Sequence, residues 1–168
     1  MWHPIVCDAA TVHLKTVKIR TATPDDIPLL LQLERESTTA AHWTLQQYTD
    51  LFRDGAAASR LVLLVEKDDV LLGFLVAHHI ASEWELENIV VSSNERRKGI
   101  GARLMQGLMD AAGHSASEFL FLEVRESNHS ARRFYQKTGF QQAGVRKGYY
   151  RDPPEDAILY RLQLRKLM

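Results

Sequence analysis

Ile89-Val90-Val91-Ser92-Ser93-Asn94-Glu95-Arg96-Arg97-Lys98-Gly99-Ile100-Gly101 runs from an apolar triplet through a polar, basic turn into an apolar-periodic stretch. That order reads as strand, loop, helix. Gly99 and Gly101 let the backbone approach a ligand closely and adopt conformations closed to other residues. Their amides would point outward at a helix N-terminus, where free N–H groups and the helix dipole favour an anion. Arg96, Arg97 and Lys98 add positive charge, so a pyrophosphate is the natural guest. On these residues alone, a solvated basic turn with two spacing glycines is an equally open reading. No Gly-Lys-Ser/Thr follows, and Leu104 stands where a dinucleotide fingerprint would need its third glycine, so two commoner phosphate loops are excluded.

Outward from this loop the chain alternates strand and helix patterns. A strand is predicted through Val17-Lys18-Ile19-Arg20. Thr23-Pro24-Asp25-Asp26 then supplies a helix start, with Thr as N-cap, Pro at the first position and acids in the first turn. Leu29, Leu30 and Leu33 supply its buried stripe, and a second helix is predicted from Thr44 through Phe52. Leu61 to Val65 and Val70 to Ile80 read as strands around a Lys67-Asp68-Asp69 turn. A strand over Glu85 to Val91 precedes the loop, and a helix from Gly101 to Ala112 follows it, stopped at Gly113. Phe119-Leu120-Phe121-Leu122-Glu123-Val124 reads as a strand buried on both faces. Ser130 to Lys137 is helical, and strands over Gln141 to Arg146 and Ala157 to Leu164 complete the order. The sum is an α/β domain with a mixed sheet over residues 17–168, preceded by an N-terminal arm, residues 1–16.

Bulk properties narrow the class. The 168 residues suit one core, and 45% hydrophobic with 25% charged residues is ordinary for a folded chain. Twenty-one basic residues balance twenty-one acidic ones, so nothing demands a nucleic acid or an anionic membrane. The single cysteine, Cys7, excludes an internal disulfide and reads as an incidental thiol. No apolar run reaches the roughly 18 residues of a membrane span, and the first residues lack a signal-peptide pattern. A cytoplasmic location is the expectation. A metal site is set aside, because the adjacent His78 and His79 face opposite sides of a strand.

Two further residues carry chemistry. Glu123 lies inside an apolar run, where burial penalises a charged carboxylate. It is either a general base poised to take a proton from an amine, or one half of a structural ion pair with Arg125 or another base. Tyr135, on the helix after Asn128, is either a phenol able to protonate a departing thiolate or a buried aromatic with a satisfied hydroxyl.

Taken together these segments resemble a known family. Arg96-x-x-Gly99-x-Gly101 between a strand and a helix is similar to the acyl-CoA-binding motif of the GNAT superfamily. Glu123-Val124-Arg125-x-Ser127-Asn128 with Arg133-Phe134-Tyr135-x-x-x-Gly139-Phe140 resembles the bacterial ribosomal-protein alanine N-acetyltransferases (the RimI group) and their archaeal relatives. The resemblance implies the GNAT fold, a mostly antiparallel mixed sheet flanked by helices. It implies Glu123 as proton acceptor, Tyr135 as proton donor and Asn128 on the pantetheine arm of acetyl-CoA. It also implies pantetheine pairing along Ile89-Val90-Val91 and pyrophosphate binding at Arg96, Arg97, Lys98, Gly99, Ile100, Gly101 and Ala102. Several relatives carry a larger polar residue at the position of Ala102, whose backbone amide serves equally. Trp43 falls where many relatives carry Pro-Trp-Ser beside the peptide groove, and Tyr149 and Tyr150 match the family's Tyr-Tyr element.

The activity so implied is direct transfer of acetyl to a protein N-terminal α-amine in a ternary complex, without a metal. A ribosomal protein beginning with alanine is the acceptor this resemblance points to. A GNAT enzyme acting on a small amine and a non-catalytic CoA-binding module are the competing classes. Glu123 and the tyrosine pair favour a peptide over a small amine, and the presence of both Glu123 and Tyr135 favours catalysis.

Overall fold

Apolar runs become strands and 3.6-period stretches become helices in the computed structural model, which describes residues 17–164 except 38, 39, 54, 56–58 and 116. The arm at residues 1–16, with Cys7, lies outside the described residues. Strands β1 (Lys18–Thr21), β2 (Arg60–Lys67), β3 (Val70–Ile80), β4 (Glu83–Val91), β5 (Phe119–Arg125), β6 (Gln141–Arg151) and β7 (Pro154–Gln163) form one sheet in the order β1-β2-β3-β4-β5-β7-β6. Helices α1 (Ile27–Arg35), α2 (Leu45–Asp50), α3 (Ile100–Gly113) and α4 (His129–Lys137) flank it. Every neighbouring pair is antiparallel except β4 and β5, whose parallel pairing follows from the α3 crossover between them. This is the mixed, mostly antiparallel sheet that the resemblance implies.

Local chemistry sets the ends of the elements. Asp68 and Asp69 both take positive φ (52° and 61°), which closes the β2–β3 hairpin with the twist such turns need. Thr44 caps α2 by accepting from Gln47 N at 3.3 Å, while Gln47 Oε1 accepts from Thr44 N at 2.8 Å. That helix stops at Asp50, short of Phe52, because Leu51 and Phe52 turn back onto Tyr48 and Thr49. Thr23 and Asp26 form a reciprocal cap, but the turn they open is 3-10, and α1 begins only at Ile27.

Two cores sandwich the sheet. On one face Leu104, Met105 and Leu108 of α3 pack on Leu63, Leu75, Leu120, Leu122 and Tyr160. On the other, Leu30 and Leu33 of α1 and Tyr48 of α2 pack on Val62, Leu64, Phe74, Val76 and Val90. Strand β5 departs from the sequence expectation. Leu120, Leu122 and Val124 are buried, while Phe119, Phe121, Glu123 and Arg125 alternate with them at intermediate exposure. Only one face of β5 is fully covered, because α1 and α2 pack over β2 to β4. Strands β6 and β7 are longer than their apolar patterns indicate. Their pairing slips between Arg146 and Tyr150, with Gly148 at φ +59° and Lys147 and Gly148 both bound to Asp156.

One register defect governs the centre. Val76 pairs with Asn88 but Ala77 pairs with Leu86, so Glu87 is the extra residue of a β-bulge. Before it Trp84 and Leu86 point to the α3 side, and after it Ile89 and Val91 do. The bulge therefore changes the parity of β4.

Two outcomes test this frame. A Cβ at Gly73 would come 2.8 Å from the Val90 carbonyl oxygen and 3.1 Å from Ile100 Cγ2. Gly73→Ala is expected to cost about 1–3 kcal/mol of overpacking, lowering Tm by roughly 3–10 °C in a scanning calorimetry comparison. Separately, hydrogen bonds from Arg20 hold the Asp26 carboxyl at about 2, below its ordinary 3.8. A depressed folded-state value stabilises above the unfolded one and loses that stability as pH falls. The stability gap between wild type and Asp26→Asn, followed by urea unfolding, should be full above pH 4 and close toward pH 2. A gap independent of pH would show that Asp26 acts by shape alone.

Candidate functional site

The β4–β5 seam has four rungs, from Glu83↔Phe119 to Leu86↔Leu122, and no ladder pair beyond them. Past Leu86 and Leu122 the strands part, leaving the β4 segment Glu87 to Val91 without a strand partner on its β5 side. Main-chain donors and acceptors there need partners, and an extended amide-bearing ligand would supply them. Ile89, Val90 and Val91 all lie on this open stretch.

At the end of β4 the chain passes through a 3-10 turn, Ser93–Glu95, into α3. Arg97 takes φ +63° and Gly99, the N-cap, φ +86° with ψ 1°. Arg103 N is the first amide shown bonding back, to Gly99 O at 3.0 Å, so the amides of Ile100, Gly101 and Ala102 lack intrahelical acceptors. Gly99 is required by its left-handed backbone. Gly101 is not required by packing, since an added Cβ would meet the Phe134 ring only at 3.4 Å. Its bare Cα leaves room over the first turn, which fits a closely approaching phosphate.

The three basic residues divide their work. Arg96 donates to Val91 O at 3.4 Å and to Ser37 Oγ at 3.3 Å, bracing the loop against the end of α1. Lys98 pairs with Glu95 at 3.3 Å. Arg97 forms no ion pair among the described residues and is exposed. The charge available to a ligand is thus smaller than the sequence implies, and the backbone amides matter more.

Glu123 is the first β5 residue beyond the last rung. Its side chain is 19% exposed and forms a 2.9 Å ion pair with Arg146 of β6. The pairing with Arg125 that sequence leaves open does not form, because Arg125 turns to Glu155 at 3.4 Å and lies 4.0 Å over the Tyr150 ring. Leu122 points to the α3 core, so Glu123 faces the opposite side of the sheet. Tyr149 and Tyr150 meet edge-on at 5.1 Å, with Arg146 above Tyr149 at 5.0 Å. Burial raises the Tyr149 phenol, and the neighbouring Glu123 carboxylate raises it further.

Tyr135 of α4 is buried in the α3-side core against Phe134, Phe140 and Tyr160. Burial, with Tyr150 nearby, pushes its phenol above the ordinary range, so it carries a proton to donate. Asn128 caps α4, accepting from Ala131 N at 3.1 Å. His78 and His79 lie on opposite faces, as expected: His79 stacks on Trp84 and meets Ser117 Oγ at 2.9 Å, while His78 approaches Glu87 at 3.9 Å.

The structure adds Glu34, which the sequence reading passed over. This α1 carboxylate is 1% exposed. It accepts from Trp43 N at 2.8 Å and from Asn88 Nδ2 at 2.7 Å, tying the loop that carries Trp43 to the open part of β4. The buried Tyr48 hydroxyl beside it forms no hydrogen bond among the described residues. The signal was present: Leu30, Leu33 and Glu34 share one helix face, so an acid sits in an apolar stripe.

Comparison with known proteins agrees with this geometry. The model of the acetyltransferase (GNAT) family matches residues 27–140. A Salmonella typhimurium protein named [ribosomal protein bS18]-alanine N-acetyltransferase is 30% identical over 153 residues, 90% of this chain and 99% of its own. The crystal structure of the Escherichia coli ribosomal-protein-S18-alanine N-acetyltransferase superposes with a TM-score of 0.79 at 25% identity, covering 91% of this chain and 97% of that one. Ard1 from Thermoplasma volcanium gives the same TM-score at 25% identity, over 89% and 98% of the two chains.

Glu34 supplies a test of how the two sides of the site are joined. Glu34→Gln sets an amide N–H against one of two donors, an unmet pairing worth about 1–3 kcal/mol. Urea unfolding should show that loss, with a changed Trp43 fluorescence before the main transition. Unaltered stability and emission would mean that the carboxylate does not hold the loop.

Proposed function

The chain belongs to the GNAT acetyltransferase family, and from that premise we propose that it transfers acetyl from acetyl-CoA to a peptide α-amine. A ribosomal protein beginning with alanine is the favoured acceptor, in line with the name of the Salmonella relative, and the cytoplasm is where the two would meet. One observation carries this reading. The β4–β5 seam opens after Leu86↔Leu122, with Glu123 on one face of the opening and Tyr135 in the core of the other. A base and an acid on opposite faces suit a thioester lying in the gap, with amine approaching from one side and thiolate leaving on the other.

The cofactor side draws on groups already described. The amides of Gly99, Ile100, Gly101 and Ala102 would take the pyrophosphate, with Arg97 and the loop positions Arg96 and Lys98 around it. The backbone of Ile89, Val90 and Val91 would pair with pantetheine, and Asn128 would border it. On the acceptor side Trp43, Tyr149 and Tyr150 would wall the groove.

The step balances without a covalent enzyme intermediate. The amine nitrogen attacks the thioester carbonyl and the C–N bond forms. The amine proton passes to Glu123, the C–S bond breaks, and the thiolate takes the Tyr135 proton. Holding amine and thioester side by side supplies much of the acceleration. A peptide α-amine has a pKa of about 7.7–8.0, against about 10.4 for lysine, so one carboxylate suffices near neutrality.

Glu123→Gln should lower kcat roughly 10²-fold, most at the acid end of the pH profile where the amine holds its proton. Tyr135→Phe should slow transfer comparably while acetyl-CoA still binds by calorimetry. Unchanged turnover in both variants would sink the assignment.

A further inference from the structure

Beside Glu123 the sheet face carries a cleft of about 340 Å³. Ile80, Phe121 and Leu159 give it apolar walls, and Glu83, Glu85, Glu123 and Arg146 line it as well. The register relates the two carboxylates. Glu85 pairs with Phe121, two residues before Glu123 on β5, so it stands roughly 7 Å back along the strand direction. Both point away from the α3 core, since Leu86 and Leu122 point into it. The cleft is continuous with the acceptor side of the proposed site.

Two carboxylates of this cleft, the exposed Glu83 and the half-buried Glu85, have no ion pair among the described residues. Glu123 is paired with Arg146 at 2.9 Å. Glu87 is ion-paired with Arg60, and His78 stands 3.9 Å from it. Glu85 is half-buried, and among the described residues its carboxylate has neither an ion pair nor a hydrogen bond. Its charge is felt by both neighbours: it helps to raise Glu87, after burial, and acts on Tyr149 in the same sense. A half-buried carboxylate at the end of an apolar trough matches a group with an aliphatic stem and a cationic head, which is the form of an arginine or lysine side chain.

We infer that this cleft receives the side chain of the residue following the acceptor amine, and that Glu85 selects a basic residue there. The inference rests on the peptide α-amine reading above. An extended dipeptide with its first nitrogen at Glu123 carries its second side chain along the sheet face, and a long basic chain spans the distance to Glu85. Glu85 is a specificity residue in this scheme and takes no part in proton transfer.

The test uses peptides that differ only at position two, as arginine, its uncharged isostere citrulline, or glutamate. Each is assayed with wild type, Glu85→Gln and Glu85→Lys, and α-acetylation is read by mass spectrometry. Wild type should prefer arginine to citrulline by about fivefold in kcat/KM, the size of a partly exposed ion pair. Glu85→Gln should bring the ratio toward one, and Glu85→Lys should turn the preference to glutamate. Because each ratio is internal to one variant, a general loss of activity cancels. A wild-type ratio near one, or a ratio untouched by Glu85→Gln, overturns the inference while leaving α-amine transfer standing. Acetylation confined to lysine ε-amines or small amines would overturn the α-amine reading itself, and this inference with it.

Discussion

The bulge at Glu87 is the constraint on which the rest of the molecule turns. An uninterrupted β4 would keep one parity along its length. The extra residue moves Asn88 and Val90 to the α1 side and Ile89 and Val91 to the α3 side. Just there the ladder to β5 ends, so the main chain of β4 is left facing a gap rather than a strand. The loop at Arg96 to Gly101 follows directly on this open stretch and leads into the free first-turn amides of α3. In the proposed reading a long ligand would find strand-like pairing at one end and free helix amides at the other, both on one continuous piece of chain.

The polar groups around the gap are braced by contacts that reach across elements. Glu34 grips both Trp43 N and Asn88 Nδ2 from inside the α1-side core. Arg146 meets Glu123 from β6, and Arg60 meets Glu87 from β2. These pairings orient carboxylates that would otherwise repel one another, at modest energetic gain because most of the guanidinium groups stay partly in water. The tyrosine phenols, by contrast, are kept neutral by burial.

Much of this was legible in the sequence because it depends on local chemistry. Strand and helix periods, the Thr44 cap, the Asp68-Asp69 turn and the glycine loop each act within a few residues. The glycines marked the strand-to-helix turn at the start of α3, and the odd carboxylate in an apolar run singled out Glu123. What could not be read depends on tertiary partners. Nothing in Phe119 to Val124 tells that one face of β5 is left uncovered, because that is decided by how far α1 and α2 reach. The bulge leaves no composition mark, since Glu87 looks like any other alternating acid of β4. Arg96 read as ligand charge, and nothing local shows that its guanidinium also meets Val91 O and Ser37. The β6–β7 hairpin outran its apolar pattern because Asp156 secures Lys147 and Gly148 through side-chain bonds that periodicity does not show.

The four-rung seam between β4 and β5 also bears on how the chain assembles. β2 to β4, and β6 with β7, are joined by hairpins whose contacts are near in sequence, so each block has little loop entropy to overcome. The seam joins strands more than thirty residues apart, is the shortest ladder beside the bulge, and is closed by α3 passing over it. Order in the blocks can therefore precede order at the seam along the folding route. The proposed acetyl-transfer site then lies at the seam where the two halves would meet last.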